Sequence, residues 1–212
     1  LYLVIIVCGI SSEAFIRGSL IETGDASATV SNILASGGLF RLGFLADSIM
    51  LLSDVAIAIL FYILLKPVSK NLALTAAAFR LTQAAVLSVN LLNYYAVMLL
   101  LNNESYSSAL EGDQLHTLVM LFLDLHSHGY DLGLLFFGIS SLVLGYLVIK
   151  ARYFPAVLGY GLIAAAVVYL AGSYIRFLFP EYAPAFSAMY VIPLVAELAF
   201  CLWLLVIGVR KS

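Results

Sequence analysis

Long apolar segments separated by short polar ones dominate the chain. A helix needs about 20 mostly apolar residues to cross a hydrocarbon core of about 30 Å, because it rises about 1.5 Å per residue. Six segments meet this requirement, and we expect the first to be trimmed because the sequence starts at Leu1 without a methionine. They are 1–21, 39–66, 71–101, 115–149, 155–178 and 185–209. We therefore predict an all-α, polytopic transmembrane bundle that forms a single domain over residues 1–212.

Charged residues in the loops predict the orientation of this bundle. Alternate loops carry only basic charges, at Lys66, Lys70, Lys150, Arg152, Arg210 and Lys211. The remaining loops carry the acidic residues Glu22, Asp25, Glu104, Glu111, Asp113 and Glu181. Basic loops stay on the cytoplasmic side of a membrane. We therefore expect both termini to be cytoplasmic.

Composition excludes several classes of protein. Hydrophobic residues make up 64% of the chain and charged residues 10%, against about half and about a quarter in soluble domains. The bilayer is thus the expected environment, and with a net charge of −2 and no basic stripe we expect no nucleic-acid partner. Cys8 and Cys201 lie in apolar runs, which argues against a disulfide framework. The common hydrolase, metalloprotease and redox motifs are absent from the sequence.

Four polar residues share one depth inside the spans. Counting at about 1.5 Å per residue from the basic ends puts Asp54, Gln83 and Glu197 about 18 Å deep and Arg80 about 14 Å deep. Two carboxylates then face one guanidinium, so one negative charge needs a proton or a cation. One interpretation is a structural ion network that fixes helix packing. The other is a role in binding a ligand, a proton or an ion.

A second polar layer lies nearer the acidic ends of the spans. It comprises Asp47, Asn90, Tyr94, Asp124, His128, Asp131 and Arg176, with Glu13 and Arg17 at similar height. Asp124, His128 and Asp131 fall at i, i+4 and i+7, on one helix face. These three are weak candidates for a metal site, since carboxylates and one imidazole suit several divalent ions. A solvated helix end is the alternative, and a general acid–base or ligand contact is a third.

The chain resembles a known family over nearly its whole length, most specifically in its second half. Its residues include Phe136, Phe137, Gly138, Gly145, Tyr146, Leu147, Pro155, Leu158 and Gly159, then Glu197, Leu202, Trp203 and Gly208, with Phe79 and Arg80 earlier. In these positions the chain resembles the bacterial membrane family named domain of unknown function 4386. One departure is the turn Lys150–Ala151–Arg152, where the family more often has a basic residue followed by serine. The resemblance implies a multi-pass protein of the bacterial cytoplasmic (inner) membrane, and it implies no activity.

Three hypotheses about function remain open. The first is a protein that binds a small apolar or amphipathic ligand, such as a lipid, or a partner within the bundle. The second is a membrane-embedded, possibly metal-assisted hydrolase that uses the outer layer, and the third is a proton- or ion-coupled transporter. We expect no cofactor, with a metal ion as the alternative, and the oligomeric state stays open.

Overall fold

The computed structural model describes residues 1–208, and within them every regular element is a helix. The helices are α1 Tyr2–Leu20, α2 Ala26–Ala35, α3 Gly37–Leu65, α4 Lys70–Asn102, α5 Glu104–Ser107, α6 Gly112–Lys150, α7 Ala156–Leu178, α8 Ala183–Phe186 and α9 Val191–Val206. Short 3-10 turns, Pro180–Tyr182 and Ser187–Tyr190, flank α8. The predicted charges Arg210 and Lys211, and the predicted last residue of span six at 209, lie outside the described residues.

Six helical segments are long and apolar enough to cross a membrane. They are α1, α3, α4, α6, α7 and the combined segment Pro180–Val206. The prediction of an all-α protein with about six spans is thus confirmed, and the chain is a multi-pass membrane protein. The cytoplasmic position of both termini stays a prediction.

The polar stretch after the first span forms a helix that the sequence pattern did not predict. Asp25 caps α2, because its side-chain Oδ1 accepts a hydrogen bond of 2.8 Å from the Ala28 N–H. The Thr29 hydroxyl, itself fully buried, accepts a hydrogen bond of 2.9 Å from the Glu22 N–H. Val30 and Ile33 give the helix a buried apolar face. Capping hydrogen bonds and a short buried apolar face, rather than a long apolar run, therefore define this helix.

The first span contains a π-helical segment from Ser11 to Arg17. A π-helical turn closes hydrogen bonds five residues apart, which shifts the register of the side chains that follow. Ser12 and Arg17, five residues apart, accordingly meet, and the Arg17 Nη1 donates to the Ser12 hydroxyl over 2.9 Å. Turns of this kind are frequent at functional sites.

Contacts within the chain divide it into two compact units. Unit 1 contains Leu1–Leu3, Ser53–Ala85 and the chain from Asp131 onward, and unit 2 contains Val4–Leu52 and Val86–Tyr130. Helices α1, α3, α4 and α6 each contribute residues to both units. The single-domain organisation stays a prediction, and the two units are described separately below.

In unit 1 the two basic loops lie at the same end of their helices. The Tyr153 hydroxyl, in the loop between α6 and α7, donates to the Leu64 carbonyl at the end of α3 over 2.7 Å. Helices α6 and α7 then approach closely at Gly145 and Gly159, where a Cβ on Gly145 would lie 2.7 Å from the Gly159 carbonyl oxygen. The tight loop and the glycine contact hold these two spans together as a hairpin.

Candidate functional site

A buried ion pair lies at the centre of unit 1, between α3 and α4. The Arg80 Nε and Nη2 atoms donate to Asp54 Oδ1 over 2.9 and 2.6 Å. Gln83 Nε2 donates to the other carboxylate oxygen over 3.3 Å. Arg80 and Asp54 are each 2% exposed, so Asp54 neutralises the guanidinium away from water. Depth counting placed Asp54, Arg80 and Gln83 in one layer, and the structure shows contacts among them.

Aromatic rings surround the rest of the Arg80 guanidinium. Its central carbon lies 4.9 Å from the ring centre of Phe137, 5.8 Å from that of Tyr2 and 6.0 Å from that of Phe61. Ring faces at such distances attract a cation, more strongly where water is excluded. Among residues 1–208, Arg80 Nη1 has no hydrogen-bond partner. This N–H group is therefore buried without a protein acceptor in the described part of the chain.

Glu197, the fourth residue of the predicted layer, has a different partner. It accepts a hydrogen bond of 2.7 Å from the Tyr169 hydroxyl of α7. Arg80 and Asp54 lie close enough to act on its charge, but the carboxylate partner of Arg80 is Asp54. The structure therefore divides the predicted layer into an Asp54–Arg80–Gln83 network and a Glu197–Tyr169 pair.

A cavity of about 240 Å³, counting the space at its mouth, adjoins Arg80 in unit 1. We call it the Arg80 cavity. Its walls come from α3, α4 and α6 and are mostly small or apolar. The lining residues are Ala58, Phe61, Leu65, Ala73, Ala76, Ala77, Arg80, Ser140 and Leu144. The Ser140 hydroxyl donates a hydrogen bond of 2.8 Å to the Ala76 carbonyl. The Arg80 guanidinium is therefore the strong polar group of the lining.

Unit 2 contains its own buried arginine, in the π-helical segment of α1. Arg17 Nη1 donates to Asp47 Oδ2 over 2.7 Å, and Arg17 Nε donates to Glu13 Oε2 over 2.7 Å. Arg17 is 7% and Asp47 3% exposed. Two carboxylates and the Ser12 hydroxyl thus meet this guanidinium, while Asp47 Oδ1 has no hydrogen-bond partner within residues 1–208. The sequence places Arg17 at the height of the outer polar layer, but Arg17 was not among the predicted site residues.

Asn90 and Tyr94 of the predicted outer layer surround His126 in unit 2. Asn90 Nδ2 donates to the His126 carbonyl over 2.7 Å, and the Tyr94 ring centre lies 5.3 Å from that of His126. The Tyr94 hydroxyl donates to the Phe40 carbonyl over 2.9 Å. His126 was not among the predicted site residues, although its position continues the buried face of Val119 and Leu123 at helical spacing.

The remaining outer residues do not form one cluster. Asp124 and His128 are exposed, and the His128 ring lies against the Asp124 carbonyl with Nδ1 at 2.8 Å. Asp131 is buried in unit 1, where its carboxylate pairs with Arg176 Nη1 at 2.7 Å. In residues 1–208, no three His, Cys, Asp or Glu side chains are placed to hold a metal ion. The metal hypothesis therefore gains no support from the geometry.

Comparison with known proteins places the chain in a family. The family profile described as domain of unknown function (DUF4386) matches residues 1–208. An uncharacterized protein of Archaeoglobus fulgidus is 30% identical over 164 residues, which are 77% of this chain and 82% of that protein. No solved structure matches the chain. The resemblance found in the sequence is thus confirmed, and the chain belongs to the DUF4386 family of unknown function.

Proposed function

We propose that the protein binds a small molecule with an apolar body and one polar group in the Arg80 cavity of unit 1. One observation carries the proposal: a cavity lined by small and apolar side chains adjoins a buried arginine whose Nη1 has no partner in residues 1–208. Ligand sites in proteins are mostly apolar, with a few convergent polar groups that fix the orientation of the ligand.

Size limits the ligand. The volume of about 240 Å³ includes open space at the mouth, and the enclosed part of the cavity has room for about one water molecule. The side chains of Ala73, Ala76 and Ala77 create this space on α4, where larger residues would fill it. A short alkyl chain or one small ring enters only when the lining side chains move apart, and a whole phospholipid does not fit. A lipid would be bound through the end of one chain.

Charge limits the polar group of the ligand. Asp54 already neutralises Arg80, and Glu197 acts on the same region. A second anion would leave excess negative charge in a medium of low dielectric constant, which is costly. A neutral acceptor, such as a hydroxyl or carbonyl oxygen, takes the Nη1 hydrogen bond without that cost. We therefore favour a short alcohol, ketone or ester over a carboxylate or phosphate.

Binding of a trifluoromethyl-labelled short-chain alcohol tests this proposal. Fluorine NMR of the full chain in lipid nanodiscs measures it, and Ala76→Leu fills the cavity. Ala78→Leu is the matched control, because Ala78 is exposed on the same helix. We expect Ala76→Leu to weaken binding at least about tenfold, a loss of about 1.4 kcal/mol, and Ala78→Leu to leave it unchanged.

The matching fluorinated alkane, which lacks the hydroxyl, tests the role of Arg80. It should bind several-fold more weakly than the alcohol, since one hydrogen bond contributes about 0.5–1.5 kcal/mol. Equal affinity of both probes for the parent and for Ala76→Leu would show that they bind in bulk lipid and not in the cavity.

The cytoplasmic membrane is the location we propose for this function. Support comes from the six apolar helical segments, since helices satisfy their backbone hydrogen bonds within each span. The bacterial origin implied by the family resemblance stays a prediction.

A further inference from the structure

We infer that Glu197 and Tyr169 form a proton-binding site within the membrane-spanning part of unit 1. The pair lies outside the lining of the Arg80 cavity, so this inference does not depend on the proposed ligand. Three features of the pair carry it: the chemistry of its hydrogen bond, the charges around it and its exposure.

The partner of Glu197 suits a carboxyl group that gains and loses a proton. The Tyr169 hydroxyl lies 2.7 Å from Glu197 Oε1. A phenol hydroxyl both donates and accepts hydrogen bonds, whereas arginine and lysine only donate. The same contact therefore persists when the phenol donates to the carboxylate and when it accepts from the protonated acid. Asp54 has no such phenol partner, because its contacts with Arg80 and Gln83 are both hydrogen bonds donated to its carboxylate.

The surrounding charges leave Glu197 without a neutralising cation. The titratable or charged groups around it on the neighbouring helices are Tyr2 of α1, Asp54 of α3, Arg80 of α4 and Tyr169 of α7, and Cys201 follows one turn later on α9. Among these only Arg80 is cationic, and its charge is matched by Asp54. No salt bridge to Glu197 occurs within residues 1–208. A proton is therefore the cation that neutralises this side chain in the membrane.

Partial exposure to lipid favours the neutral form of Glu197. Glu197 and Tyr169 are both partly exposed, whereas Asp54 and Arg80 are buried. Helix α9 also belongs to the least buried of the six candidate spans, with 17% of its most apolar window buried. The pair therefore lies at the edge of unit 1, where lipid adjoins it and an ionised carboxylate is costly.

Infrared spectroscopy of the full chain in vesicles of ether-linked lipids, which have no ester carbonyl group, tests the inference. A protonated carboxyl group has a carbonyl stretch that an ionised carboxylate lacks. We expect the parent at neutral pH to show this band and Glu197→Gln to lack it. Glu181→Gln, which changes an exposed glutamate before α9, should leave the band in place. Tyr169→Phe should keep the band but move it to higher frequency, because the hydrogen bond is lost. Identical spectra for the parent and Glu197→Gln would overturn the inference.

Labelling of the parent protein keeps the inference testable if the variants fail to fold. A hydrophobic carbodiimide adds to protonated carboxyl groups, and the acylurea that forms is located by peptide mass spectrometry. We expect the label on Glu197 at neutral pH and less of it at alkaline pH. Unlabelled Glu197 at neutral pH, with label on other carboxyl groups, would contradict a proton at this site.

Discussion

At the scale of residues, an arginine is buried among the helices of each unit, and each of these two arginines has a carboxylate partner. Arg80 pairs with Asp54 in unit 1, and Arg17 pairs with Asp47 in unit 2. A charged group at the centre of a span costs about 2.5–3.5 kcal/mol on insertion scales. Pairing reduces that cost. Removal of either partner, however, leaves the other charge buried and uncompensated.

A double-mutant cycle on Asp54 and Arg80 measures this dependence. We expect Asp54→Leu or Arg80→Met alone to lower the free energy of unfolding by about 3–5 kcal/mol, because each leaves one buried charge. The double variant should lose clearly less than the sum of the two, with a coupling energy of about 1–3 kcal/mol. Denaturation of the protein in mixed micelles gives these values. Thr82→Ala, at an exposed position on α4, is the control. Additive losses would show that the pair is not coupled.

Depth counting gave the level of each polar residue but not its contacts, for two physical reasons. It gives the position of a residue along the helix axis, so it brought together Asp54, Arg80 and Gln83. It does not give the rotation of each helix about its axis, and rotation decides that Glu197 contacts Tyr169. For Arg17, the π-helical segment also shifts the side-chain register, and a count based on regular α-helix contains no such shift.

At the scale of elements, the hairpin of α6 and α7 depends on two glycines that allow close approach. A Cβ on Gly145 would meet the Gly159 carbonyl oxygen at 2.7 Å and the Ile163 Cγ1 at 2.8 Å. Small residues at such positions let helix backbones approach in membranes, where lipid supplies no hydrophobic force between helices. The two glycines are part of the family resemblance, and the structure gives them this packing role.

Substitution of these glycines should destabilise the hairpin. We expect Gly145→Ala to lower the free energy of unfolding by about 1–3 kcal/mol, the usual cost of overpacking a close contact. Gly161→Ala is the matched control, because its nearest neighbour would be the Ala196 Cβ at 3.4 Å. That variant should be neutral or more stable by up to about 1 kcal/mol, since alanine favours helix over glycine. Equal effects of both substitutions would contradict the proposed crossing.

Apolar length predicted the long helices, and proline marked some of their ends. The predicted spans 39–66 and 71–101 compare with Gly37–Leu65 and Lys70–Asn102 in the structure. The short helix α2 could not be found in this way, because hydrogen bonds of Asp25 and Thr29 define it. In the last span, 3-10 turns precede α9, and Pro193 lies in the first turn of that helix, where its missing N–H costs little.

At the scale of the whole molecule, the distribution of loop charges makes a prediction about orientation. Helix α4 is one continuous span of 33 residues between the loop at Ser69 and the loop at Asn103. Its ends should therefore face opposite sides of the membrane, and the loop flanked by Lys66 and Lys70 should be cytoplasmic.

Cysteine labelling in sealed vesicles of known orientation checks this topology. Cys8 and Cys201 are first replaced by alanine, and Ser69→Cys or Ser108→Cys is then added. We expect a membrane-impermeant maleimide to label Ser69→Cys from the cytoplasmic side and Ser108→Cys from the other. Labelling of both positions from one side would contradict the six-span arrangement.

Ligand binding beside Arg80 is the central claim about the molecule, and an experimental structure tests it most directly. The protein should be purified from its own membrane, kept in lipid nanodiscs and imaged at a resolution that shows small-molecule density. We predict density that contacts Ala76 and Leu144 and ends within hydrogen-bond distance of Arg80 Nη1. A cavity closed by its own side chains, with Nη1 donating to a protein group and no density beside it, would contradict the claim.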